Sequence, residues 1–272
     1  MVSLIPGLVM ASGDVGGDTG GMSEAGGSAA PGAGGLGVAS RERVREVWRE
    51  LMGAPSAFRA AGWVVAASPG DERRIGVVRL EDAVAVSAPA ELVEVIGEVL
   101  AGSTVDLTDP GAVVELLGAA APVAGVRGPA VLAYADPGCF TPRPGPAVAT
   151  VAAGDSGVVG LAAACGADDA DESGITEMTS PLSVVQVDGQ VVAACGYEVW
   201  CGELAQVGVL THPRFRGRGL GAAVASATVA HALAAGLVAQ WRARVTIAAS
   251  RRIARSLGFV EVGRQLTVRL RR

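Results

Sequence analysis

The pattern of apolar and polar positions from about residue 147 onward predicts a run of short strands followed by alternating helices and strands. We predict strands at 147–151, 182–187, 190–200, 203–210, 241–247 and 259–270, and helices at 156–164, 219–235 and 250–257. The dipeptide Asp188-Gly189 lies between two of these strands and is typical of a hairpin turn. Because helices and strands alternate only after a meander, the pattern indicates an α+β domain with a mixed, mostly antiparallel sheet flanked by helices.

A second set of elements is predicted upstream, over residues 40–136. They are a helix at 41–52 with Ser40 as its N-cap, strands at 75–80, 83–86 and 129–134, and helices at 90–100 and 110–117. This α/β region shows no catalytic constellation. It is either a separate α/β unit or a degenerate copy of the C-terminal fold, and no motif in it decides between the two.

Two changes of composition divide the chain. Glycine, alanine and serine dominate residues 11–38, which cannot bury enough apolar surface to fold, so residues 1–39 are expected to form a disordered tail. Four prolines within 137–146 indicate a linker. The expected units are therefore the tail, the N-terminal region 40–136, the linker and a C-terminal domain at 147–272.

Charge is distributed unevenly along the sequence. The net charge is −5, yet residues 204–272 hold twelve arginines and a single acid, Glu261. Lysine and asparagine are absent from the whole sequence, which excludes a Walker phosphate loop and a lysine Schiff base. The basic block indicates either a site for an anion or a solvated surface. Nucleic acid is a poor candidate, because the chain is acidic overall and its arginines are not interleaved with aromatic residues.

Cysteine and histidine give no sign of a metal site or a disulfide framework. The four cysteines form no CxxC pair, and the two histidines complete no zinc-ligand spacing, so we expect reduced thiols and no metal. Residues 1–10 are apolar but lack the basic residues that open a signal peptide. No apolar run reaches the roughly 18 residues that a membrane-spanning helix needs. A cytoplasmic protein is therefore expected.

The most informative segment lies between the strand that ends near Leu210 and the long helix that follows. Three alternate glycines, Gly217, Gly219 and Gly221, are interleaved with arginines. Without side chains, these glycines let backbone amides converge on a ligand, and the positive end of the helix dipole points at the same place. The segment therefore suits a pyrophosphate. The dinucleotide fingerprint GxGxx(G/A) is matched formally, but the acid it requires roughly 20 residues later is missing.

The same segment resembles the signature of the GNAT superfamily of acetyl-CoA-dependent N-acetyltransferases, which reads Gln or Arg, two residues, Gly, one residue, then Gly or Ala. This chain supplies Arg216-Gly217-Arg218-Gly219-Leu220-Gly221 after Leu210-Thr211-His212-Pro213. Residues 250–259 are similar to the family's fourth helix and its closing Gly-Phe. The resemblance covers about residues 147–272.

The resemblance implies a cofactor site and a reaction. The coenzyme pyrophosphate would be held by Arg216, Gly217, Arg218, Gly219, Leu220, Gly221 and Ala222. The backbone of Val209, Leu210 and Thr211 would pair with the pantetheine amides as with an added strand. Gly208 is expected at a bulge that separates this strand from its neighbour to admit the thioester. The implied reaction is direct transfer of an acetyl group from acetyl-CoA to a primary amine in a ternary complex.

Catalytic residues are also implied, with one departure from the family. A glutamate base is expected on the strand before the loop, where Glu203 is the first candidate and Glu198 the rival; for each, a solvated charge is the alternative. The family's tyrosine and asparagine correspond to Ala254 and Ile247, which cannot act. Ser250 either assists or caps the helix. A non-catalytic acyl-CoA-binding pseudo-enzyme, serving as sensor or scaffold, therefore stays open as an alternative function.

Three further features complete the sequence-based expectations. The acidic run at 168–172 lies between the first helices of the domain and either attracts a cationic amine or is solvated. His212 and His231 are expected to have structural roles. The expected partners are acetyl-CoA and an amine acceptor, without nucleic acid or a membrane, and a homodimer is left open.

Overall fold

The computed structural model describes residues 34–70, 73–103, 105–118 and 121–271. Most of the tail expected at 1–39 lies outside these residues. Within the described ranges, no helix combines the length and the apolar character needed to cross a membrane.

Helices and strands alternate through the described part of the chain. The helices are α1 (Val38–Met52), α2 (Val93–Ala101), α3 (Pro110–Gly118), α4 (Ser156–Cys165), α5 (Ala167–Ser173), α6 (Leu220–Ala234) and α7 (Ala248–Ser256). The strands are β1 (Gly62–Ala67), β2 (Arg74–Leu80), β3 (Ala83–Ala88), β4 (Val123–Ala135), β5 (Ala149–Val151), β6 (Leu182–Val187), β7 (Gln190–Trp200), β8 (Leu204–Thr211), β9 (Val238–Arg244) and β10 (Val260–Leu270). Short 3-10 helices form at Ala90–Leu92, Ile175–Glu177 and Pro213–Phe215.

These strands form one sheet in the order β1-β3-β2-β10-β4-β9-β8-β7-β6-β5. The pairs β1–β3 and β8–β9 are parallel, and every other neighbouring pair is antiparallel. The predicted fold class, a mixed and mostly antiparallel sheet flanked by helices, is confirmed. The hairpin predicted at Asp188-Gly189 is present, with both residues at positive φ.

Strand β4 connects the two halves of the chain. It comes from the region at 40–136, yet it lies between β9 and β10 and pairs antiparallel with both. Its ladder with β10 runs from Val123↔Leu270 to Tyr134↔Val260 with three irregularities. One continuous sheet therefore runs through both halves.

Helices α4 and α6 cover opposite faces of the sheet beside β7. Successive residues of a strand point to opposite faces. Cys195 of β7 belongs to the buried cluster that includes Val224 of α6, whereas its neighbour Ala194 packs in the cluster that includes Val158 of α4. The sheet around β7 and β8 is thus enclosed from both sides.

The start of α1 differs from the sequence-based expectation. Its N-cap is Gly37, not Ser40, and no side chain caps the helix from within the local sequence. Instead the Gly37 N–H donates to Asp136 Oδ2 at 2.9 Å. A carboxylate distant in sequence fixes the entry into the helix, and the local capping pattern could not reveal it.

Two elements were not predicted, and one strand was misplaced. Strand β1 is at the edge of the sheet and none of its residues is fully buried, so it has little apolar alternation. Helix α5 spans the acidic run and buries none of its side chains, so no apolar stripe marks it. The strand predicted at 241–247 runs instead from Val238 to Arg244, because β9 begins directly after the turn at Gly236.

Candidate functional site

Strands β8 and β9 separate part-way along their length. They pair in parallel from Leu204↔Val238 to Val207↔Trp241, after which β8 continues to Thr211 without a partner in β9. A cavity of about 450 Å³ lies where the strands part. The main chain of β8 beyond Val207 therefore borders an open space that an extended ligand can enter.

Gly208 is the first β8 residue beyond the paired segment, and its position is closely packed. A Cβ at this residue would lie 2.2 Å from the Ser173 carbonyl oxygen and 2.5 Å from Met178 Cε. The residue must be glycine for the end of α5 to approach the strand. The expected bulge is absent from the β7–β8 ladder, which runs through Gly196↔Gly208 without an irregularity. The opening arises instead from the divergence of β8 and β9.

The glycine segment after β8 forms one end of the cavity. Gly217 and Gly219 both adopt φ 77°, a left-handed conformation, and no atom within 4 Å would contact a Cβ on either. Helix α6 begins at Leu220, and the first N–H groups of a helix have no intrahelical partner. The N-cap residue here is Gly219, so no side chain of the cap accepts from these N–H groups. An uncapped helix start beside two open glycines has the geometry that favours an anion such as a phosphate.

The arginines of this segment are held by the protein itself. Arg216 Nη2 pairs with Asp169 Oδ2 of α5 at 2.6 Å, and Arg216 Nε donates to the Thr211 carbonyl at 3.1 Å. The Arg218 guanidinium lies over the Phe215 ring at 5.0 Å. Of the positions expected around a pyrophosphate, Arg216, Gly217, Gly219, Leu220, Gly221 and Ala222 line one end of the cavity, whereas Arg218 does not line it.

Acidic side chains form another wall of the cavity. Asp169, Asp171 and Glu172 come from α5, Glu177 follows in the next 3-10 helix, and Glu198 comes from β7. Asp169 is paired with Arg216, and Glu172 is paired with Arg244 Nε at 2.9 Å. Three of the four acids of the run at 168–172 therefore line the cavity, whereas Asp168 does not. Glu177 was not singled out from the sequence.

The two carboxylates expected as general base occupy different surroundings. Glu198 lines the cavity, and its Oε2 accepts a hydrogen bond from Trp200 Nε1 at 3.1 Å. Glu203 lies just before β8, at the end opposite to the glycine segment, and is not among the cavity-lining residues. Its carboxylate forms an ion pair with Arg43 of α1. The structure thus brings Glu198, but not Glu203, to the cavity.

Arg242 is a further cavity residue that the sequence did not single out. It lies on β9, half-buried, with its guanidinium 5.8 Å from the centre of the Trp200 ring. Burial lowers the pKa of Arg242, whereas the negative charges of Glu172, Glu177 and Glu198 raise it. The cavity therefore has a negatively charged wall beside the half-buried Arg242 cation.

Helix α7 closes the cavity near the point where the strands part. Ile247, Ser250 and Ile253 line the cavity, whereas Ala254 is buried behind it. Ser250 makes no capping hydrogen bond to the helix; its Oγ accepts a hydrogen bond from Trp241 Nε1 at 2.9 Å. No tyrosine, histidine or cysteine of the described chain lines the cavity.

The two histidines make local contacts outside the cavity. His212 Nδ1 accepts a hydrogen bond from the Arg214 N–H at 3.2 Å, and His231 Nδ1 lies 3.0 Å from the Tyr197 hydroxyl. Among the residues that the structure describes, no group of three or more His, Cys, Asp or Glu is placed to hold a metal ion.

Comparison with known proteins finds a family match that includes the glycine segment. Residues 183–265 match the family model described as GNAT acetyltransferase. A GNAT-family protein from Novosphingobium aromaticivorans is 24% identical over 56% of this chain and 70% of its own, with a TM-score of 0.45. A GCN5-related N-acetyltransferase-like protein from Streptococcus suis is 18% identical over 85% of this chain and all of its own, with a TM-score of 0.44.

A third solved structure was determined with acetyl-CoA. This Salmonella typhimurium protein is 25% identical over 34% of the present chain and 65% of its own, with a TM-score of 0.29. No curated protein was found to match the sequence. The family match spans β6 to β10, which includes the glycine segment and the opening between β8 and β9. The C-terminal region of the chain therefore contains a GNAT-superfamily domain.

Proposed function

We propose that the chain is an N-acetyltransferase that moves an acetyl group from acetyl-CoA to a primary amine by direct transfer in a ternary complex. The catalytic elements would lie within 147–272, with the region at 40–136 completing the sheet. The observation that carries the proposal is a single cavity that joins an anion site, an unpaired strand edge and an acidic wall.

The anion end fits the pyrophosphate of coenzyme A. The open sides of Gly217 and Gly219 leave room for phosphate oxygens, and the free N–H groups at the start of α6 can donate to them. Arg216 and Arg218 add positive charge nearby. When bound, acetyl-CoA supplies a thioester whose carbonyl carbon can accept an amine nitrogen.

The strand edge fits the arm between the phosphates and the thioester. The four residues from Gly208 to Thr211 have no ladder partner in β9, which leaves roughly 13 Å of strand beside the cavity. Amides of an extended ligand can bond to Val209, Leu210 and Thr211 as a neighbouring strand would. The arm then directs the reacting carbonyl towards the point where β8 and β9 part.

The acidic wall fits the amine. An amine is an ammonium ion in water at neutral pH and must lose a proton before it can attack. We assign the role of base to Glu198, because its carboxylate lines the cavity while that of Glu203 is bound to Arg43. Asp171 and Glu177 would attract the cation, and Glu198 would take up its proton. Direct transfer is favoured because no cysteine of the described chain lines the cavity.

The test is a thermal-shift titration with acetyl-CoA, followed by a thiol-release assay over a panel of amines. Stabilisation by acetyl-CoA together with amine-dependent thiol release is the expected result. Absence of any shift with coenzyme A would contradict the cofactor site. The missing tyrosine favours the alternative, a pseudo-enzyme that binds acyl-CoA as a sensor or scaffold; a shift without thiol release from any amine would be its signature.

A further inference from the structure

Three hydroxyl-bearing side chains line the cavity: Ser173, Thr211 and Ser250. Ser173 Oγ donates its proton to the Ala170 carbonyl at 2.8 Å, so that proton is engaged. Thr211 Oγ1 lies at the anion end, 3.0 Å from where a Cβ on Gly221 would be. Only Ser250 stands beside the point where the strands part.

The contact between Trp241 and Ser250 determines which way the serine proton can go. An indole N–H can donate but cannot accept a hydrogen bond, so Ser250 Oγ is the acceptor in the 2.9 Å contact with Trp241 Nε1. The hydroxyl proton must therefore go elsewhere, and it has no acceptor among the described residues. Both side chains line the cavity, so the proton is available to a ligand there.

Trp241 also marks the place where an acyl thioester would end. It is the last β9 residue paired with β8, opposite Val207. An arm held at Gly219 and extended along the free edge of β8 would bring its thioester towards this point. The inference that follows rests on the proposed function, because it requires a thioester in this cavity.

We propose that Ser250 donates a hydrogen bond to the sulfur of the departing thiolate, and that Trp241 is the positioning residue that orients it. As the amine nitrogen bonds to the carbonyl carbon, the carbon–sulfur bond breaks and its electron pair passes to sulfur. The ammonium ion first gives one proton to Glu198, which leaves the neutral amine that attacks. The second proton leaves the nitrogen for water as the amide forms, and the sulfur, stabilised by the Ser250 hydroxyl, takes its proton from water, so that one proton is released overall. No oxidant or reductant is needed.

The first test measures the bound product rather than the reaction. The pKa of the coenzyme A thiol, bound to the full chain, is followed by the ultraviolet absorbance of the thiolate. A hydrogen bond to the charged form favours it, so Ser250→Ala should raise the pKa of the bound thiol by about one unit, while Ser250→Thr should preserve it. The control is Ser256→Ala, which removes a serine of the same helix that does not line the cavity and whose hydroxyl donates to the Ile253 carbonyl.

The second test measures turnover. Ser250→Ala should lower kcat about ten- to a hundredfold with the Kd of acetyl-CoA little changed, because the lost hydrogen bond forms mainly as charge develops on sulfur. Trp241→Phe should lower kcat in the wild-type background but have little further effect in Ser250→Ala. Such non-additivity is expected when one residue acts through the other.

Two results would overturn the proposed role of Ser250 and leave the proposed function of the chain intact. One is an unchanged pKa of the bound thiol in Ser250→Ala, even if kcat falls, since that would indicate a structural role. The other is independent, additive effects of the Trp241 and Ser250 substitutions. Failure of the wild-type chain to bind coenzyme A would instead overturn the proposed function and this inference together.

Discussion

Arg43 of α1 and Glu203, at the entry to β8, form an ion pair between positions 160 residues apart in the sequence. Arg43 Nη2 also donates to the Gly236 carbonyl, at 2.8 Å, in the turn that leads into β9. The guanidinium thus joins the starts of the two strands whose far ends separate. Glu203 is thereby engaged in holding α1 against the sheet, at the end remote from the glycine segment.

This arrangement predicts opposite outcomes for the two glutamates. Glu198→Gln should lower kcat by about a hundredfold or more, because it removes the proton acceptor. Glu203→Gln should leave kcat within about twofold and cost about 0.5 kcal/mol of stability, since its ion pair is partly exposed. Steady-state kinetics and denaturant unfolding of both variants test this. The reverse pattern in kcat would move the base assignment to Glu203.

The anion end is tested by Gly219→Glu. The substitution places bulk and negative charge where phosphate is expected, so the thermal shift caused by acetyl-CoA should disappear. Gly189→Glu is the matched control, because Gly189 also has φ 77° and open space around it but lies in the turn between β6 and β7. Both variants carry a similar backbone strain, of about 1–2 kcal/mol. A retained shift in Gly219→Glu would contradict the pyrophosphate site.

Gly208 should tolerate no side chain. Gly208→Ala would force apart the Ser173 carbonyl and the strand, which we expect to cost about 1–3 kcal/mol and to weaken acetyl-CoA binding. Gly97→Ala, in helix α2 with free space at the Cβ position, should instead be neutral or stabilising by up to about 1 kcal/mol. Thermal unfolding with and without acetyl-CoA measures both effects. Unchanged unfolding of Gly208→Ala would mean that α5 does not pack closely on β8.

Asp136 should make stability depend on pH. Burial alone would raise the pKa of Asp136. Hydrogen bonds from the side chains of Ser40 and Cys139 and from the backbone N–H groups of Gly37 and Gly138 nevertheless hold this pKa below its ordinary value. Because the pKa is lower in the folded state, the ionised carboxylate stabilises the folded chain at pH values above the unfolded-state pKa of about 3.9. This stabilisation is lost as the pH falls through the folded-state pKa. Asp136→Ala should therefore cost about 2–3 kcal/mol near neutral pH.

The measurement is the free energy of unfolding of the wild-type chain and of Asp136→Ala as a function of pH. The two curves should lie apart near neutral pH and converge as the pH falls below about 4. A constant difference between them down to the lowest pH would show that the charge on Asp136 contributes nothing.

The local sequence was sufficient to predict those elements whose conformation depends on residues close together in the chain. The Asp188-Gly189 turn, the long helix ended near Gly236 and the glycine segment before it all depend on residues close together in the chain, and their positions were predicted. The acidic helix α5 and the edge strand β1 were missed, because neither buries a regular apolar face and tertiary packing decides their conformation.

The site was predictable only in part, for the same physical reason. The open backbone at Gly217 and Gly219 follows from having no side chain, so the sequence alone indicated this end of the candidate site; its binding of an anion stays a prediction. Which glutamate reaches the cavity depends on Arg43, a residue of another region, and the hydrogen bond between Trp241 and Ser250 depends on how α7 packs on β9. Such contacts between distant residues leave no periodic pattern in the sequence.

The position of β4 has a consequence for biosynthesis. Both of its partners, β9 and β10, follow it in the chain, so during translation β4 has neither neighbour until the glycine segment and α6 have already emerged. Its two unpaired edges are then open to pairing with other nascent chains. Sheet closure between β4 and β10 is a contact of long sequence separation, which folds slowly. We therefore expect that a chaperone would act before β10 pairs with β4, when the unpaired edges of β4 are exposed to other nascent chains.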